Sequence, residues 1–355
     1  MTRTLRVFLA FSIIPQIIVV KILSQKPQIV ETYYSVKYYP LISRFLRSIF
    51  EYFTFSIGDI LYISAIPFVV YKLFKNIDFR KKNFNIKKVI INGFGIISVL
   101  YFVFHLFWGL NYYRIPLNKK LNLKTNYSTE DLIKTTKEII ILTNKVHFKI
   151  TNDPKKVVSP RLNFTDLKKE INIGYRDLSK KYPFLKYYPS NQKKSLFSTP
   201  LAYMGFSGYF NPFTNETQIN WHTPKNSQPI TQAHEQAHQL GFAAENEANF
   251  IAFLATNENN NIFIKYSALT FALRHCLNEL FTTDLNSFNY LKSSVNYGIL
   301  KDFENRQKKW SYFKNPLQPL SKKIYGKFLN LNNQKLGIKS YNYVVALIVN
   351  YNKLK

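Results

Sequence analysis

Three apolar runs fall within the first 110 residues, and they restrict the possible folds of this chain more than any other feature. Residues 7–23 (VFLAFSIIPQIIVVKIL), 57–74 (IGDILYISAIPFVVYKLF) and 89–108 (VIINGFGIISVLYFVFHLFW) each approach the ~20 residues that cross a bilayer as a helix. Pro15 and Lys21 weaken the first span without excluding it. A cleaved signal peptide is the competing reading of that run, but no small-x-small cleavage site follows it. Charge-bearing loops separate the runs, which favours transmembrane helices over buried core helices. His105, inside the third run, reads as an interfacial or packed histidine rather than a ligand.

Lysine and arginine set the orientation. The loop 75–88 carries Lys75, Arg80, Lys81, Lys82, Lys87 and Lys88, so it is expected to be cytoplasmic. The N-terminus is then also inside, residues 24–56 are outside, and everything after residue 109 is extracytoplasmic. Trp108, Tyr112 and Tyr113 suit the headgroup layer at the exit, and Pro116 ends the helix. The chain carries 49 Lys+Arg against 20 Asp+Glu, a net charge of +29. Those cations are scattered and no nucleic-acid-binding signature accompanies them, so no nucleic acid is expected. Anionic lipid or an anionic envelope polymer suits the charge better. The lone cysteine, Cys276, excludes an internal disulfide and a cysteine-rich metal site, and its apolar neighbours suggest core packing.

The chemistry concentrates at residues 227–254, SQPITQAHEQAHQLGFAAENEANFIAFL. His234 and His238 are four apart, so on a helix both imidazoles project from one face and can grip a single Zn²⁺. Glu235 sits one residue on, where it can take a proton from a water that the metal activates. Ser227 is a candidate N-cap, Pro229 fits the first turn, and Gly241 supplies a stop. A second helix follows, with Phe242, Phe250, Ile251, Phe253 and Leu254 as its apolar residues. A hydrolytic zinc site keeps three protein ligands, so a third is required. Glu245 is favoured, because Asn249 lies one turn later on the same face and can brace a ligand histidine. Glu247 is the alternative; it points roughly 200° away round the helix, so the two carboxylates cannot serve together.

Elsewhere, residues 128–150 open at Ser128 and read as helix, as do 164–183 from Thr165 or Asp166, 262–281, 284–298 and a run near 340–351. His147 reads as packed or surface. Residues 195–222 change period and contain Gly205, Gly208 and a turn at NPFTN, which predicts short strands or a hairpin along the cleft edge. Asn211, Glu216, Asn220 and His222 lie in that wall, with turn chemistry or solvation the leading role for each. Tyr341 is a candidate oxyanion stabiliser, with core duty the alternative.

H-E-x-x-H followed by E-x-x-A-N resembles the zincin metallopeptidases of the Glu-liganded branch. That resemblance implies His234, His238 and Glu245 as zinc ligands, Glu235 as general base, and Asn249 where an Asp usually braces the first histidine. Two features depart from it. Only six residues separate His238 from Glu245, where Glu zincins leave a longer gap. H-E-x-x-H-x-x-G is instead similar to the Met-turn zincins, whose third ligand would fall at Ala244. More widely, WGLNYYR, YMGFSGYFNPFTNE, HEQAHQLGFAAENEANFIAFLA and GIKSYNYVV resemble an uncharacterised bacterial membrane-protein family with N-terminal transmembrane helices and a zincin-like domain.

The resulting expectation is a transmembrane helical region at 1–110 followed by a mainly α domain with a small β-sheet, α+β and zincin-like, at 111–355. The expected function is a zinc metallopeptidase anchored in the bacterial inner membrane, with its site facing outward and a peptide or envelope-polymer substrate. The rival is a non-catalytic membrane protein whose zinc is structural or absent.

Overall fold

A computed structural model describes residues 2–74, 86–160, 162–187, 191–332, 334 and 343–354. The chain divides into two compact units: Met1–Ile115 with Asn211–Glu216, and the remainder. Most of the charged loop 75–88 and the candidate Tyr341 lie outside the described residues.

In the first unit, α1 (Arg3–Phe11) and α2 (Ile13–Ser24) run together. They form an apolar stretch, Thr4–Ser24, of 21 residues, and a later helix, Ile86–Phe107, has 22; both are long and apolar enough to cross a membrane. Few of their side chains are buried, as is expected of apolar residues facing lipid. A polar seam is among those few. Ser98 is fully buried and lies 2.8 Å from Ser12 Oγ, and Gln16 Nε2 donates to it at 2.9 Å. Polar groups with no water to bind find one another across such helices. The middle run also forms a helix, Ile57–Phe74, with Pro67 inside it, but its apolar part, Ile57–Tyr71, is shorter than the other two.

Residues 24–56, expected as a loop, are largely helical. A π-helix spans Val30–Tyr38, and α3 (Tyr39–Phe50) continues from it. In order after α3 come α4 (Ile57–Phe74) and α5 (Ile86–Phe107). Buried polar partners hold the 30–50 segment. Arg114 donates to both Glu31 oxygens, at 3.1 and 2.9 Å, and Ser35 Oγ donates to Asn111 Oδ1 at 2.9 Å. Asn215 Oδ1 accepts from Ser43 at 2.8 Å, and its amide donates to the Tyr39 hydroxyl at 3.2 Å. Glu216 is fully buried and accepts the N–H groups of Gly58 (2.5 Å) and Ile57 (3.3 Å), so a carboxylate from far along the chain caps α4. Trp108 and Tyr113 are also buried, Trp108 against the rings of Phe104 and Tyr112, rather than turned out to a headgroup layer. A 3₁₀ turn, Gly109–Tyr113, follows α5 after Trp108 and holds Tyr113.

The second unit is mainly helical. In chain order it comprises α6 (Thr129–Thr151), α7 (Phe164–Lys181), β1 (Gln192–Lys194), α8 (Ser198–Met204), β2 (Gly208–Asn211), β3 (Glu216–Ile219), α9 (Gln228–Gln239), α10 (Glu245–Asn257), α11 (Ile262–Thr283), α12 (Leu285–Ser293), α13 (Tyr297–Ser311), α14 (Gln318–Leu331) and α15 (Tyr343–Asn352). Ser128 caps α6 through a reciprocal box with Asp131, and Asn163, two positions before Thr165, caps α7. The 195–222 stretch holds the hairpin β2–β3 but also the helix α8. The sheet order is β1-β3-β2, with β1 parallel to β3.

The core lies around α10. Phe250, Ile251, Ala252 and Leu254 are fully buried, so this helix is apolar nearly all round past its first turn, as a central helix must be. It packs against α7, α9, α11 and α15. Cys276 is fully buried in the same core, and burial pushes its thiol up to about 12. His147 is packed as expected: Lys156 O lies 2.9 Å from Nε2, and Asn296 Nδ2 lies 3.1 Å from Nδ1.

The α7–α10 crossing depends on Gly174, where a Cβ would meet the Ala255 carbonyl oxygen at 2.1 Å. Backbone cannot yield as a flexible side chain can, so Gly174→Ala is expected to destabilise the second unit by roughly 1–3 kcal/mol, read as a lowered Tm in detergent. Asp302 generates a second expectation. Burial, only partly offset by hydrogen bonds from Tyr266 and Val158, raises its carboxyl from 3.8 to about 6. The folded chain then binds more protons than the unfolded one in that interval. Asp302 therefore makes stability fall as pH rises from 3.8 to about 6, with no further loss above. Asp302→Asn should flatten that part of the Tm–pH curve relative to wild type.

Candidate metal centre

The candidate site begins with the way α9 ends. Gly241 adopts φ 81°, its N–H bonds His238 O at 2.9 Å, and the Phe242 N–H reaches back to Ala237 O at 3.1 Å. This is the paired bonding of a Schellman cap, which needs a residue tolerant of the left-handed conformation. The start of α9 differs in detail from expectation. Ser227 occupies the N-cap position, but a 3₁₀ turn, Lys225–Ser227, feeds straight into the helix. Its hydroxyl accepts from Arg306 Nε at 3.1 Å rather than from a backbone N–H of α9.

The turn at Gly241 carries the first residue of α10 back to the histidines. Nε2 of His234 and Nε2 of His238 are 3.1 Å apart. A Glu245 oxygen lies 3.2 Å from the first, and the other oxygen lies 3.7 Å from the second. Donors around a tetrahedral zinc with bonds of ~2.0–2.1 Å are about 3.3 Å apart, so the two imidazole nitrogens and the Glu245 carboxylate suit one cation. Glu235 is the neighbouring carboxylate; donor atoms of His234, Glu235 and His238 all lie within 4.8 Å of one another. Glu247 is held elsewhere, its Oε1 accepting the Leu117 N–H at 2.7 Å.

The surroundings orient these groups. His238 Nδ1 lies 2.8 Å from the Phe242 carbonyl, which requires the proton on Nδ1 and leaves the Nε2 lone pair facing inward. Burial lowers the His234 pKa, but the hydrogen bond and charge of Glu245, with smaller help from Glu235 and Asn249, outweigh it and raise the group overall; His234 Nδ1 and Asn249 Nδ2 are both buried with no partner at hydrogen-bond geometry. Burial lowers His238 to about 4 and raises Glu235 to about 8. Burial also opposes ionisation of Glu245, but His234, His238 and Tyr325 outweigh it and hold that carboxyl down, at about 2. Glu245 is thus the carboxylate that stays ionised beside the two imidazoles, and with the inward lone pair of His238 it makes a donor set that a divalent cation would accept.

Two contributors carried little or no sequence signal as site residues. The Tyr325 hydroxyl, on α14, donates to Glu245 Oε1 at 2.5 Å while its ring packs on Phe206. Nothing in the local pattern distinguishes Tyr325 from the chain's 25 tyrosines. Gly208 opens β2 directly against Glu235, where a Cβ would stand 2.9 Å from Oε1. A glycine inside a β-run signals such a close approach. The remaining polar candidates do structural work: Asn211 Oδ1 accepts from Phe213 N and Thr214 N in a turn, and Glu216 caps α4. Asn220 bonds Phe206 O and the His222 N–H, and His222 Nε2 lies 3.0 Å from Thr199 Oγ1.

Metal analysis of purified protein tests the arrangement. About one zinc per chain is expected in wild type, lost on His238→Ala and Glu245→Ala and retained in folded Glu247→Ala. Tyr325→Phe should keep the fold and weaken zinc affinity roughly 10–100-fold.

Against known proteins, the sequence model of a family described as "Protein of unknown function (DUF3810)" matches residues 34–349. No curated protein and no solved structure matches the chain. The match begins after α2 and takes in most of both units and every residue of the candidate centre, so the chain belongs to the DUF3810 family.

Proposed function

We propose that this chain is a membrane-anchored, zinc-dependent hydrolase whose second unit is zincin-like and cleaves peptide bonds. One observation carries the reading: two imidazole nitrogens and the Glu245 carboxylate converge at 3.1, 3.2 and 3.7 Å, with a further carboxylate on the next residue of the same helix. Zn²⁺ held by His234, His238 and Glu245 would supply Lewis acidity to a scissile carbonyl and an attacking water.

The chain's own groups do the rest. Glu235 takes the proton of the attacking water and returns it to the leaving amine. The β2 backbone at Gly208 lies against that carboxylate and limits its movement. The Phe242 carbonyl fixes the His238 tautomer, and Tyr325 holds Glu245. Amide bonds of an anionic envelope polymer are the alternative substrate, supported by the net charge of +29. The lysine-rich stretch at 75–88 argues for a bacterial inner-membrane protein with a cytoplasmic N-terminus and the site outside.

Glu235→Gln tests this reading against a structural metal. The expected result is unchanged zinc content with turnover of a peptide library reduced roughly 10²–10⁴-fold. Equal activity in both proteins would remove Glu235 as the base. A zinc-loaded wild type that cleaves neither peptides nor envelope polymer would leave a non-catalytic membrane protein.

A further inference from the structure

Among the described residues, helix α14 carries an exposed apolar stripe. Leu317, Leu320, Ile324, Phe328 and Leu331 fall within an arc of about 80° at ~100° per residue. All five are exposed, Ile324 at 61% and Leu331 at 82%. Leu329 is buried and Tyr325 half-buried on the adjoining face, so the helix is packed on one side and exposed on the next. Exposed Lys323 and Lys327 border the stripe on its far side. Exposed Tyr203 and Tyr312 stand near its N-terminal end, where Asn315 Nδ2 donates to Tyr203 O at 2.7 Å. An apolar stripe flanked by lysines and tyrosines is the surface of a helix that lies in a membrane interface.

We propose that α14 rests on an anionic lipid surface, with the stripe in the headgroup–acyl boundary and Lys323 and Lys327 on lipid phosphates. Lipid is the occupant for two reasons. The same chain carries two helices long and apolar enough to cross a membrane, which tethers the second unit near a bilayer at high effective concentration. The bordering charges complement anionic headgroups, whereas a symmetric contact with a second copy would bring like charges together. The inference does not require a metal at the candidate centre.

The test uses the full chain in nanodiscs. Cys276 is the lone cysteine and is fully buried, so Ile324→Cys can be labelled selectively with an environment-sensitive fluorophore. Asn330→Cys, on the exposed polar face, serves as control. With phosphatidylglycerol present, the 324 label should be quenched by shallow doxyl-lipid and shielded from acrylamide, and the 330 label should not. Phosphatidylcholine alone, or Lys323→Gln with Lys327→Gln, should lower the docked-to-free ratio roughly tenfold or more. A 324 label as open to acrylamide as the 330 label in both lipids would overturn the proposal. So would shielding without doxyl-lipid quenching that grows with protein concentration, which would mark a second copy.

Discussion

Everything at the candidate centre depends on one turn. Gly241, at φ 81°, lets α9 stop and α10 begin within five residues, so Glu245 meets histidines on the preceding helix. The short gap between His238 and Glu245 is therefore no obstacle: two helices joined by a Schellman cap meet near their joined ends. The apolar body of α10, buried against four neighbouring helices, then anchors the carboxylate at its first residue. Because that end is fixed from inside by packing and from outside by Tyr325, the donor atoms are held in place by the fold itself.

The first unit rests on a different constraint. Glu31, Ser35, Tyr39 and Ser43 form a buried polar face whose partners, Asn111, Arg114 and Asn215, come from segments remote in sequence. Buried charges and amides that lack partners are costly, so each such pair ties one segment to another. This gives WGLNYYR and NPFTNE a structural meaning. Their polar residues hold the region between the apolar helices and cap α4, and they supply none of the three converging donors.

Much of the secondary structure was legible in the sequence. The apolar spans, the helix ends at Ser128 and Gly241, and the uninterrupted FIAFLA of a central helix all follow from local periodicity and capping. Residues 24–56 were not legible, because their helices carry polar residues on the buried face and look solvent-exposed until the partners are known. Helix α14 was missed for the converse reason: its apolar stripe is exposed among the described residues, so its pattern does not declare a core-facing helix. Trp108 and Tyr113 misled because aromatic residues after a span suit a headgroup layer, whereas here Trp108 packs on Phe104 and Tyr112 and Tyr113 is buried at the end of a 3₁₀ turn.

By itself the sequence determined the local terms: which stretches are helical, which glycine can turn, and that two histidines and a carboxylate share one helix. Spacing along a helix is a short-range property and needs no partner. Only the tertiary structure decided which downstream carboxylate faces those histidines, that Glu247 is engaged by the Leu117 N–H instead, and that Tyr325 and Gly208 line the same site. Those outcomes depend on how helices and a strand pack against one another, and packing couples residues that no local pattern relates.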